Sequence, residues 1–157
     1  MKRIIILSLL FSSCGVFHPN NFHKAILNEN LLTKQRDSIR LYDVFNTKND
    51  KKTLILIYAS YCPFSKKSLE ETTLYQKENK EVNYIFLSVD HSYFDWKREV
   101  ERIATSGKHY YMPYKGRGVI GRFLKIKKIP RFMILDKGKK IKVFNSSEIS
   151  KLKKLLQ

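Results

Sequence analysis

Six residues with no polar face, Thr53-Leu54-Ile55-Leu56-Ile57-Tyr58, run straight into Ala59-Ser60-Tyr61-Cys62-Pro63-Phe64-Ser65 and then into a lysine-rich stretch. Such a run predicts a strand covered on both sides, in the middle of a sheet between helical layers. Pro63 suits the first turn of the helix that follows, where its missing N–H costs nothing. The junction therefore sets Cys62 at the turn between a buried strand and a helix.

The same reading extends along the chain. Helical spacing follows through Leu69, Thr72, Thr73 and Gln76, and Val82 to Val89 is a second buried-type strand. Asp90 to Ser106 predicts a helix through Trp96, Val100 and Ile103, ending at Gly107. Arg131 to Asp136 and Lys140 to Phe144 form a hairpin around Lys137-Gly138-Lys139. Ser146 or Ser147 caps a last helix with Ile149, Leu152, Leu155 and Leu156. Upstream, Ser38 to Phe45 reads as an edge strand and turn, Asn46 to Lys52 as a polar loop. Alternating elements closed by a hairpin give an α/β sandwich around a mixed sheet.

The N-terminus has the form of a targeting segment. Lys2 and Arg3 precede an apolar core, Ile4 to Phe11, followed by Ser12-Ser13-Cys14-Gly15. That core is too short to span a bilayer, which needs about 20 residues, but it suits a signal peptide. The cysteine at its end resembles the lipobox of bacterial lipoproteins, in which the chain is cut before the cysteine and the cysteine is acylated. Phe11 stands where that pattern usually has Leu. The implied layout is a signal peptide over 1–13, a lipid-anchored, Asn-rich tether over 14–30 and a domain over 31–157. It implies an envelope address, with the membrane reached through lipid on Cys14 and Cys62 as the single free thiol.

The formal net charge is +17, and Lys108 to Lys142 holds 12 basic residues against one acid, Asp136. A basic surface of this kind is either simply solvated or meets an acidic lipid or partner. No nucleic-acid motif accompanies it, so no nucleic-acid partner is expected.

From about Arg40 onward the chain resembles the thioredoxin superfamily, and within it the TlpA-type thiol–disulfide oxidoreductases. Tyr58-Ala59-Ser60-Tyr61-Cys62 resembles that branch's Trp-Ala-Ser-Trp-Cys. Ile129-Pro130 resembles its Ile-Pro, whose proline is cis and faces the active cysteine. Leu135-Asp136-Lys137-Gly138-Lys139 resembles the hairpin after it, and the roughly 40 residues from Val89 to Pro130 resemble its insertion. The resemblance implies a thioredoxin-like three-layer α/β/α sandwich with a mixed central sheet. It implies a catalytic set of Cys62, Ser65 and Pro130, and a substrate groove of Tyr61, Pro63, Phe64 and Ile129. The implied partner is a thiol- or disulfide-containing envelope protein or a small thiol.

At a helix start Cys62 faces unpaired backbone N–H groups and the positive end of the helix dipole, which favour the nucleophilic thiolate. Lys66 and Lys67 lie one turn on. Ser65 replaces the second, resolving cysteine of the family; it can donate a hydrogen bond to the thiolate but cannot attack a mixed disulfide. Leu56 and Ser68 stand where relatives carry acids. Two readings follow. In one, a single thiol exchanges disulfides as a monothiol reductase or isomerase. In the other, the fold is a redox-inactive module that binds an extended peptide or acidic partner. Cys-Pro-Phe-Ser also resembles a monothiol glutaredoxin site, against which the insertion and export signal argue.

Gly116-Arg117-Gly118-Val119-Ile120-Gly121 spells GxGxxG. Dinucleotide binding needs that motif directly after a strand in a βαβ unit, whereas His109 to Lys115 reads as a loop, so no cofactor is expected. His18, His23, His91 and His109 are scattered without metal-ligand spacing, so no metal is expected. Trp96 is expected in the core.

Overall fold

The computed structural model describes residues 19–46 and 50–156. The signal segment, Cys14 and His18 lie outside the described residues.

The expected central strand is β3 (Thr53–Tyr58), buried at every position. Its side chains alternate between two cores: Leu54, Leu56 and Tyr58 enter one, Ile55 and Ile57 the other. That two-sided burial is why the run carries no polar face. The helix α3 (Pro63–Glu78) follows, with Pro63 in its first turn. Its buried side is largely hydroxylic, Ser65, Ser68 and Thr72 beside Leu69 and Tyr75. Thr72 Oγ1 donates to the Ser68 carbonyl at 2.7 Å, so the helix satisfies this buried hydroxyl itself.

Before β3 come α1 (Lys24–Leu27), β1 (Asn30–Leu32), β2 (Ser38–Arg40) and α2 (Leu41–Phe45); after α3 come β4 (Asn83–Ser88), α4 (Tyr93–Val100), β5 (Lys108–Tyr111), α5 (Val119–Phe123), β6 (Arg131–Leu135) and β7 (Ile141–Ser146). A 3-10 turn (Ser150–Leu152) leads into α6 (Lys153–Leu156). The strands form one sheet in the order β2-β1-β5-β4-β3-β6-β7. β3, β4 and β5 are parallel, and β6 is antiparallel to β3. The α3, α4 and α6 side chains pack on one face, and those of α1, α2 and α5 on the other. This is the expected three-layer α/β/α sandwich on a mixed sheet.

Four expectations are corrected. Residues 20–30 are packed rather than a free tether: Ile141 N–H donates to the Asn20 carbonyl at 2.8 Å, the Phe22 ring packs at a tilt against Phe45 and Phe123, and Ile26 is buried. Asn-rich composition hid the apolar pair Phe22 and Ile26, one helical turn apart. The strand after Arg40 gives way to α2 instead of a turn. The helix expected over Asp90 to Ser106 is only Tyr93–Val100, capped by Ser92, whose Oγ accepts from Asp95 N–H at 3.1 Å. The loop expected over His109 to Lys115 begins as β5, whose short run shows no period of its own and is covered by Phe86 stacked on His109.

Candidate functional site

Cys62 is the N-cap of α3, half-buried and free, and its thiol makes no capping hydrogen bond. Its backbone is fixed: its N–H donates to the Ala59 carbonyl (3.1 Å), and its carbonyl accepts from Lys66 N–H (3.0 Å). The Ile129–Pro130 bond is cis. Ile57 pairs with Arg131 across β3 and β6. Pro130 therefore sits at the end of the sheet from which β3 runs into Cys62. Ile129 and Cys62 pack on the same core.

Ser65 is fully buried, and its Oγ accepts from Ala59 N–H at 3.3 Å. The donation to Cys62 expected from the sequence is not made; the hydroxyl is turned inward to hold the turn before the thiol. Leu56 and Ser68, in the positions where relatives carry acids, are both buried.

A residue that sequence reasoning passed over lies beneath this turn. Asp90 is almost fully buried at the end of β4. Its Oδ1 accepts from Ser60 N–H (2.8 Å) and Ser60 Oγ (2.9 Å), and its Oδ2 accepts from Ser88 Oγ (2.6 Å). Three donors on one carboxylate answer its burial and fix the backbone two residues before Cys62. The available signal was an acid ending an apolar strand, since the carboxyl ends of parallel strands are where sites gather.

The expected groove residues divide by exposure. Pro130 is buried, and its carbonyl accepts from Arg131 Nη1 at 2.8 Å. Phe64 is 73% exposed and Tyr61 52%, while Pro63 is also open. Tyr61 stacks on His91 with ring centroids 4.4 Å apart, which steadies that side of the rim. Beside it lies a cleft of about 300 Å³ lined by Ser60, Tyr61, Lys66, Asp90, His91 and charged residues of α4. Tyr58 belongs to the core: its hydroxyl accepts from Trp96 Nε1 at 3.1 Å, and burial pushes its pKa upward. Trp96 is fully buried, as expected. A larger cavity of about 620 Å³ lies beside Val82, Tyr84 and Gly107, at the opposite end of the sheet.

The GxGxxG segment does follow a strand, β5, and does open a helix, α5. Its turn is nevertheless filled. Glu29, 6% exposed, sends Oε2 to accept from Ile120 N–H, and a Cβ at Gly118 would lie 2.0 Å from Glu29 Oε1. The next strand, β6, runs antiparallel to β3, so no βαβ unit forms. A buried carboxylate holds the place that a pyrophosphate would need. Among the described residues no group of three or more His, Cys, Asp or Glu is placed to hold a metal ion. Nor is any described helix long and apolar enough to cross a membrane.

No curated protein matches the chain. Solved structures resemble it at low identity. A thiol-disulfide oxidoreductase from Bacteroides fragilis is 18% identical, with a TM-score of 0.66 over 85% of this chain and 100% of that one. The thioredoxin domain of a thiol-disulfide oxidoreductase from Bacteroides vulgatus is 14% identical, with a TM-score of 0.61 over 87% and 100%. A secreted disulfide oxidoreductase of Mycobacterium tuberculosis is 12% identical, with a TM-score of 0.61 over 80% and 90%. The family model described as thioredoxin-like matches residues 49–141, more than half of the sequence. With a helix-start cysteine and a cis proline at one end of a mixed sheet, the chain belongs to the thioredoxin-like family.

Proposed function

We propose that the protein catalyses thiol–disulfide exchange through one thiol, that of Cys62, as a TlpA-type lipoprotein of the cell envelope. The observation that carries the reading is an uncapped, half-exposed thiol at the first turn of α3, with cis Pro130 at the same end of the sheet. The Cys62 thiolate attacks one sulfur of a substrate disulfide. A new S–S bond forms, the old one breaks, and the departing substrate thiolate takes a proton from water. With Ser65 in place of a second cysteine, the adduct is resolved from outside. The substrate's own second thiolate attacks and releases Cys62, a rearrangement with no net oxidation; or a low-molecular-weight thiol attacks, and two such thiols are oxidised as one substrate disulfide is reduced. Lipid anchoring rests on Lys2, Arg3, the apolar Ile4 to Phe11 core and Cys14.

The test is recovery of activity by a scrambled multi-disulfide ribonuclease, with mass spectrometry of trapped adducts. The wild type is expected to speed recovery and to yield an adduct at Cys62; Cys62→Ser is expected to do neither. Equal recovery with both proteins, and no adduct, would sink the proposal. The buried Leu56 and the inward hydroxyl of Ser65 favour a second reading, a redox-inactive module. Retention by Cys62→Ser of the full cellular phenotype would support it.

A further inference from the structure

Charge is segregated around the thiol. Every residue from Arg102 to Leu135 is neutral or basic, and Lys115, Arg117, Arg122, Lys125, Lys127, Lys128 and Arg131 follow one another within it. None of these seven is in an ion pair among the described residues; the ion pairs bring together other cations, as in Arg98 and Arg102 with Asp95 and Glu99. Lys125, Lys127 and Lys128 are exposed and occupy the five residues before cis Pro130. The β3–β6 register carries that loop to the Cys62 end of the sheet. Lys67 is exposed in the second turn of α3, one turn beyond the exposed Phe64. Lys125, Lys127 and Lys128, none of them in an ion pair among the described residues, thus lie at the same end of the sheet as Cys62 and the exposed Tyr61 and Phe64.

We infer that the disulfide taken by this site lies in an acidic segment, with Asp or Glu close to the cysteine, and that the lysines before Pro130 select it. This rests on the exchange reading for Cys62. Charges this exposed act mainly on encounter rate and on rejection of like-charged partners, and salt screens them.

The experiment measures adduct formation by the full chain with three disulfides: neutral 4,4′-dithiodipyridine, and two peptides that differ only in Asp or Lys beside the cystine. The acidic peptide is expected to react at least about tenfold faster than the basic one at low ionic strength, with the ratio shrinking as salt is added. Reversing Lys125, Lys127 and Lys128 to Glu is expected to bring the ratio to or below one. Reversing Lys140 and Lys154, both away from the thiol end, leaves it high. If dithiodipyridine reacts but the two peptides do so equally, the acidic preference is overturned while exchange stands. If dithiodipyridine fails to react, exchange is overturned. Non-covalent binding of the same peptides to Cys62→Ser then decides the preference: tighter binding of the acidic one upholds it, equal binding ends it.

Discussion

The Cys62 turn and the Gly118 turn are both strand-to-helix junctions steadied by a buried carboxylate from elsewhere in the chain, and they come out oppositely. Asp90 reaches back to Ser60 and has donors on both oxygens, and the thiol beyond it stays open. Glu29 reaches into the Gly118 turn itself, spends one oxygen on Ile120 N–H and leaves Oε1 buried without a partner. One carboxylate supports a site from below; the other occupies the place where a site would be. A motif marks where backbone N–H groups gather, and the packing around it decides whether anything else can reach them.

The closed turn is broken most severely by Gly121→Ala. Its Cβ would meet the Gly116 carbonyl at 1.7 Å, a backbone contact that cannot rotate away. We expect a loss of about 3 kcal/mol or more, read by urea denaturation, with the soluble fraction on expression falling in parallel.

Both carboxylates must be compared against the pH dependence set by a third buried polar group. His109 stacks on Phe86, holds Nε2 against Thr105 and has Nδ1 buried without a partner. Burial, the main cause, brings its pKa down to about 4, with Lys34 adding repulsion and the Thr105 carbonyl opposing. The folded state therefore binds fewer protons than the unfolded chain between that value and the ordinary histidine value of about 6.5. Stability is full above about pH 6.5 and is lost as pH falls toward 4, by about 3 kcal/mol. Denaturant midpoints across that range check this, and His109→Gln is expected to flatten the slope.

Asp90→Ala tests the open turn. It leaves Ser60 N–H and two hydroxyls without their acceptor, and we expect a loss of about 2 kcal/mol. The rate of Cys62 alkylation should change as the turn loosens. If stability and alkylation are both unchanged, Asp90 does not support the site. The smallest effect belongs to a double-mutant cycle. Gly118→Ala alone collides with Glu29 Oε1, whereas in a Glu29→Ala background the new methyl has room. We expect the pair to be less destabilising than the sum of the singles by about 1 kcal/mol. Additive effects would show that Glu29 does not close the turn.

The central elements were legible because their sequences repeat one physical demand over several residues. β3 and β4 are covered on both faces and so are apolar between their polar ends; α3 starts at a proline; the β6–β7 hairpin surrounds Lys137-Gly138-Lys139. Of the short strands β1, β2 and β5, only β2 was legible, as the edge strand expected from Ser38. β1 and β5 are three and four residues long, too short to show a period, and are strands because neighbours pair with them. The site was legible to the same degree. The order of Cys62, Ser65 and Pro130 marks the thiol end of a thioredoxin-like sheet, while the direction of the Ser65 hydroxyl is set by a contact with Ala59 that no spacing encodes.

By itself the amino-acid order determined an α/β sandwich on a mixed sheet, the junction carrying a lone thiol and the concentration of basic charge after Glu101, since each depends on residue type and local period alone. Only the tertiary structure decided that Asp90 braces the Ser60 turn, that Glu29 fills the glycine motif and that His109 is buried against Phe86. Those outcomes join residues 30, 91 and 23 positions apart. They rest on hydrogen bonds and stacking that exist only once separate strands and helices have been brought together.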